Sequence, residues 1–269
     1  MMSIMTQPQL TDSAQRKARI ANGFSAAAGS YNQYADVQAE IANAALALIE
    51  KKRYRHALDI GCGTGRHTDS LAGMSAQVTG IDLAPGMVTL AQQRYPHLTF
   101  IEGMAERLPL EADSTDLVFS SMALQWCLNP LQVMQQISQV LMAGGQASLA
   151  IMVDGSFAEL AQARKLAGQP KAHNPLVTAE SWYEAAQAVG FRDVQSQTRK
   201  YCVHFDHVLP LLQSIKHVGA GTLIDGASAN PFKFTRRDLN RLNLAYQQAA
   251  TADGTLPLTY RVSHLTLEK

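Results

Sequence analysis

An α/β fold, a mostly parallel sheet flanked by helices, is predicted by three observations. Strand-like apolar runs alternate with amphipathic stretches from residue 56 to 153, a glycine-rich turn "ALDIGCGTGRH" at 57–67 closes the first run, and the second run ends on an acid, Asp82. Such alternation closes through right-handed crossovers, which put the strand ends, and any ligand, along one edge of the sheet.

The elements follow in order. Residues 13–54 read as helical, and "ADVQAEIANAALALIEKK" puts Val37, Ile41, Ala44, Ala45 and Leu48 on one face, with a basic end that suits a helix C-terminus. Strands are expected at 56–60, 76–82, 98–103, 115–121 and 146–153, with helices at 66–73, 86–94 and 130–141, the last closing at Gly144 and Gly145. From residue 155 the rhythm breaks into a helical stretch at 156–168, the segment "GQPKAHNPLVT", a helix "AESWYEAAQAVG" and a strand "FRDVQSQTRKYCVHF". Two helices at about 207–218 and 235–250 and a last strand "LPLTYRVSHLTLE" complete the chain. The division expected is a helical lid at 1–54 and a main domain at 55–269, with a helical insertion at about 206–253; both helical pieces are placed to cover the strand ends.

Composition bounds the function. A chain of 269 residues with 46% apolar content fills one core, and 17% charged residues nearly cancelling to +1 give no global field for nucleic acid or a membrane surface. Cys62, Cys127 and Cys202 form no Cys-x-x-Cys pair and leave one thiol over, as in a reducing compartment. The first residues lack a signal-peptide core, and no apolar run nears the roughly 20 residues that span a bilayer, so a cytoplasmic location is expected.

The turn decides the ligand. Counting from Gly61, a dinucleotide fingerprint needs a third glycine where Arg66 stands, and a phosphate-binding P-loop fails at the same residue. What remains is D-x-G-x-G-x-G, Asp59 with Gly61, Gly63 and Gly65: backbone for close approach, and a carboxylate for an ammonium group. Asp82, 19 residues after Gly63, stands where this geometry puts an acid on ribose hydroxyls. An amino acid joined to a nucleoside, S-adenosyl-L-methionine, fits both. Cys62 has no adjacent histidine and is assigned to packing. His204 and His207 fall on opposite faces of an extended segment, without carboxylate or cysteine partners, so no metal is expected.

The motifs "ALDIGCGTG", "VTGIDLAPGM", "AERLPL" and "DLVFSSMALQW" make residues 55–153 similar to the Rossmann-like class I methyltransferases. The resemblance implies that Leu83 and Met87 flank the adenine, that Met104 and Ala105 lie along it, and that Ser121 closes the site. Met104 stands where the family often has an acid, and Glu106 is the candidate substitute. A narrower likeness, carried by "FSAAAGSYNQYADVQ", "SSMALQWCLN", "GSFAELAQA", "LLQSIKHVGAGT" and "LPLTYRV", is to the malonyl-acyl-carrier-protein O-methyltransferases of biotin synthesis. It implies methylation of the free malonyl carboxylate on an acidic acyl-carrier protein, or on malonyl-CoA, with S-adenosyl-L-homocysteine as product. It also implies that Tyr31 and Tyr34 lie over cofactor and acceptor, with Gln38 in the same lid. Gln125 and Trp126 are candidates for the acceptor channel. The chain departs at Asn32, at "GAGTL", and in "PKAHNPL", where the family tends to carry an arginine and this chain has Lys171 and His173; His173 is the candidate for that charge. The basic clusters "QRKAR", "KKRYR" and "KFTRR" are candidates for meeting the carrier. Two alternatives stay open: methylation of another small carboxylate or a quinone-type ring, and a non-catalytic protein that binds S-adenosylmethionine.

Overall fold

Strand residues buried on both faces belong to the middle of a parallel sheet, and residues 57–60 and 117–120 are of that kind. The computed structural model describes residues 7–169, 174–221 and 234–269, with side chains from Ala14 onward. The chain opens with α1 (Gln7–Ala27), α2 (Tyr31–Tyr34) and α3 (Asp36–Leu46). It then alternates β1 (Tyr54–Ile60), α4 (Arg66–Ala72), β2 (Ser75–Asp82), α5 (Pro85–Arg94), β3 (Thr99–Glu102), β4 (Thr115–Ser121), α6 (Pro130–Val140) and β5 (Leu141–Met152). After α7 (Ala158–Leu166) and α8 (Ala179–Val189), two long strands, β6 (Arg192–Phe205) and β7 (Leu256–Glu268), enclose α9 (Val208–His217) and α10 (Arg236–Tyr246).

Among the described residues the strands form one seven-stranded sheet, β3-β2-β1-β4-β5-β7-β6. It is parallel from β3 to β5, and β7 runs antiparallel to both its neighbours. The order reverses between β1 and β4, which opens a crevice beyond their C-terminal ends. The two-residue period sorts the core: Leu117, Phe119 and Ala150 face α3, α9 and α10, whereas Val118, Leu149 and Ile151 face α6 and α8. Each fully buried Leu or Ile contributes roughly 2 kcal/mol to holding these layers together.

Two expectations give way to the sheet. The helical stretch expected over 13–54 divides into α1, α2 and α3, and α3 ends at Leu46, so Leu48 is exposed, Ile49 is buried in its place, and the basic residues 51–53 lie in a turn. The Tyr54↔Ser75 pair that opens the β1–β2 ladder draws the chain out of its helical period. Gly144 and Gly145 close no helix, because α6 already stops at Val140 and Leu141 pairs with Thr115. They form an irregularity inside β5, where Gly144 has φ +74° and a Cβ on Gly145 would meet Leu141 Cδ2 at 2.8 Å.

Phe205 and Leu256 are sheet partners, so the segment between them leaves and rejoins the sheet at one point. Its helices α9 and α10 pack on each other, and α10 packs on α7. No helix among the described residues is long and apolar enough to cross a membrane.

Candidate active site

The glycine turn sits where β1 meets the crevice. Gly61 has φ +75°, and a Cβ there would lie 2.1 Å from the Cβ of Ala123 in the loop after β4, so only glycine lets the two strand ends close together. The Gly63 N–H donates to Asp82 Oδ2 and the Ala84 N–H to Oδ1, both at 2.8 Å. Burial raises the Asp82 carboxyl above the usual range, and these backbone donors oppose the shift. With the Leu83 N–H also bonding the carboxylate, three of its roughly four lone-pair sites are used and acceptor capacity remains for a ligand hydroxyl.

Asp82 lines a cavity with Gly61, Gly63, Leu83, Met87, Met104, Ala105 and Ser121. The apolar members suit a flat base, Asp82 suits a diol, and Ser121 Oγ is buried there without a hydrogen-bond partner. A smaller cavity continues from Gly61 and Gly63 toward Gln38, Thr64 and Arg66. The residues present therefore fit a nucleoside joined to an amino acid.

The helix α1 roofs this cavity. Lys17 Nζ lies 3.4 Å from Glu106 Oε1 and 3.3 Å from Met104 Sδ, and Arg16 donates to the Trp126 carbonyl at 2.8 Å. The rings of Phe24 and Trp126 meet edge to face at 5.4 Å, and Ser25 Oγ accepts the Gly86 N–H at the start of α5.

A further cavity adjoins the first, and Phe24, Tyr31, Met122 and Trp126 line both. Gln38, Gln125, Arg164, Ile215 and Tyr260 complete much of its wall. Burial, and then the charge of Asp82, push the Tyr31 phenol up to about 12, so it is a hydrogen-bond donor at neutral pH.

Not every candidate from the sequence meets the site. Asp59 does not line these cavities; it is buried beneath the turn, accepts from Thr68 Oγ1 at 2.6 Å, and has a carboxyl raised to about 7 by that burial. That hydrogen bond ties α4 to β1, and the ammonium role expected for Asp59 has no wall contact with these cavities behind it. Gly65 also faces away: a Cβ would lie 2.9 Å from Phe100 Cζ and Tyr95 Cδ2, so its place is helix packing. Tyr34 is exposed and stacks on His217 of α9 at 4.2 Å, outside the three cavities. His173, like Lys171, lies outside the described residues. Sequence reasoning missed Phe24, Met122 and Lys17, which gain meaning only once α1 folds over the strand ends. It also missed Arg164, which on α7 reads as an ordinary surface arginine.

Cys62 is buried against Val88, Ala91 and Phe100, in keeping with packing. His204 lies 3.7 Å from Cys202 Sγ, and no cluster of three metal-binding side chains occurs among the described residues.

Comparison with known proteins places this geometry. Residues 58–151 match the methyltransferase domain family. The YcgJ protein from Bacillus subtilis superposes with a TM-score of 0.61 at 15% identity, over 86% of this chain and 98% of that one. Phosphoethanolamine N-methyltransferase 2 from Haemonchus contortus, solved with S-adenosyl-L-methionine, gives 0.52 at 22% identity, over 84% of this chain and 52% of that one. A malonyl-[acyl-carrier protein] O-methyltransferase from Pectobacterium atrosepticum is 32% identical over 254 residues, covering 94% of this chain and 96% of that one. A biotin biosynthesis bifunctional protein BioHC from Cellvibrio japonicus is 31% identical over 255 residues, and this chain spans half of its length. With this identity running nearly end to end and a cavity at the switch point of the sheet whose lining suits a nucleoside, the chain is an S-adenosylmethionine-dependent methyltransferase and belongs to the malonyl-[acyl-carrier protein] O-methyltransferase family.

Proposed function

We propose that the protein methylates the free carboxylate of a malonyl thioester, on an acyl-carrier protein or on CoA, to its methyl ester, an early step of biotin synthesis. The observation that carries this reading is the pair of adjoining cavities, one furnished for the cofactor and one with a largely apolar wall, which share Tyr31, Met122 and Trp126.

S-adenosylmethionine supplies a methyl group on a sulfonium centre. In the cofactor cavity, Asp82 would take the ribose hydroxyls, and Leu83, Met87, Met104 and Ala105 the adenine. Gly61, Gly63, Gln38 and Ser121 would surround the amino-acid end. The malonyl carboxylate is ionised near neutral pH, so no base is needed. The bound cofactor would supply that methyl group to an oxygen of the carboxylate and leave as the neutral thioether. Two opposite charges vanish together, so an enclosure that excludes water favours the step. Phe24, Trp126 and Met122 would exclude that water, and Tyr31 would donate to the carboxylate and hold it in line. Gln125 lines the acceptor side.

On this reading residues 1–54 form a lid and the insertion at 206–253 a cap. An acidic carrier would approach basic residues such as Arg16, Lys17 and Arg19 in a cytoplasmic setting. The test is methyl ester formation by mass spectrometry, with S-adenosylhomocysteine release, on malonyl-, acetyl- and succinyl-acyl-carrier protein. Ester on malonyl alone is expected. Turnover on none of them, with the cofactor still bound, would overturn the proposed acceptor.

A further inference from the structure

The acceptor needs a group that recognises its charge, and the segment in which the sequence suggests one, around Lys171 and His173, lies outside the described residues. The described wall of the second cavity already holds an arginine. Arg164, in the last turn of α7, is 3% exposed and lines that cavity. Its guanidinium carbon lies 5.0 Å from the centre of the Phe234 ring, which supports the planar group from one side. Burial lowers its pKa to about 10, which still leaves it charged at neutral pH. The other polar side chains on the described wall, Tyr31, Gln38, Gln125, Ser156, Asn174 and Tyr260, are neutral, and no Asp or Glu is among them. On the described wall, a charged guanidinium set among neutral polar groups suits an anionic ligand.

We propose that Arg164 is the positioning residue that anchors the malonyl carboxylate. This rests on the acceptor reading above. A guanidinium holds a carboxylate through paired N–H donors and so orients its plane as well as its charge. One oxygen can then stay on the anchor while the other faces the methyl group. Methylation removes the negative charge, and with it the grip of Arg164, so the neutral ester leaves a site that the anion prefers. The same charge separates malonyl from acetyl thioesters, which have no terminal carboxylate to hold.

The test measures binding of malonyl- and acetyl-pantetheine to the full chain saturated with S-adenosylhomocysteine, for the wild type, Arg164→Met and Arg164→Lys, by calorimetry. The wild type is expected to prefer the malonyl thioester. Arg164→Met should weaken malonyl binding by about 10- to 100-fold, the equivalent of one or two charge-assisted hydrogen bonds, and leave acetyl binding within about twofold. Arg164→Lys keeps the charge and loses the fork, so it should recover part of the malonyl affinity. Affinity for S-adenosylhomocysteine should be the same in all three. Equal losses for both thioesters, or unchanged malonyl binding, would overturn the assignment. If Arg164→Met does not fold, Arg164→Lys decides: malonyl binding several-fold weaker with acetyl unchanged supports the anchor, and wild-type affinity for both refutes it. A wild type that prefers malonyl yet makes no ester would refute the reaction and leave the anchor standing; one without the preference would refute the anchor.

Discussion

Asp59→Asn separates the two roles open to the acid of the glycine turn. The Asp59 carboxyl is raised from 3.8 to about 7, chiefly by burial, against the opposing hydrogen bond from Thr68 and with a smaller push from Asp82. Because the folded state holds this proton more tightly than the unfolded chain, the stabilisation is complete below pH 3.8 and is lost as pH rises through about 7. A shift of roughly three units corresponds to a ceiling of about 4 kcal/mol. Asparagine stays neutral at every pH, and its Oδ1 can still accept from Thr68 Oγ1. Urea unfolding of wild type and variant should give similar stabilities at pH 4.5 and an advantage to the variant of about 1–3 kcal/mol at pH 8.5. Affinity for S-adenosylmethionine should change by less than about threefold, since the carboxylate faces Thr68 and not the cavity wall. A variant less stable than wild type at pH 8.5 would refute the burial argument. A large loss of cofactor affinity without loss of stability would return Asp59 to the ammonium role.

Two further substitutions test the site. Tyr31→Phe removes the partly buried donor while keeping the ring; kcat should fall about 10- to 100-fold with cofactor affinity nearly unchanged, and full activity would remove Tyr31 from positioning the acceptor. Gly61→Ala forces a left-handed φ on alanine, at about 1–2 kcal/mol, and drives its Cβ into Ala123, so thermal unfolding and cofactor binding should both weaken. Pairing it with Ala123→Gly should restore part of the loss; an undiminished Gly61→Ala protein would refute the close approach of the two strand ends.

The sequence by itself determined the strand and helix rhythm, the glycine turn, Asp82 at the end of β2 and the class of ligand. These depend on neighbours a few residues apart: side-chain periodicity, positive φ, and the hydrogen bonds of one turn. Tertiary structure decided which polar groups face the ligand. Asp59 stands one residue before the end of β1 and Asp82 ends β2, yet only Asp82 lines the cavity, because Asp59 is held beneath the turn by Thr68. Tyr31 and Tyr34 share the four-residue helix α2, but one is enclosed by three cavities and the other is exposed on His217. Leu48 fits a helical face that ends before reaching it, because the β1 ladder claims the chain first. Arg164 reaches the second cavity only when α7 packs on α10 and the N-terminal helices supply part of the same wall. Such meetings are set by packing between segments far apart in sequence, and no local pattern of residues encodes them.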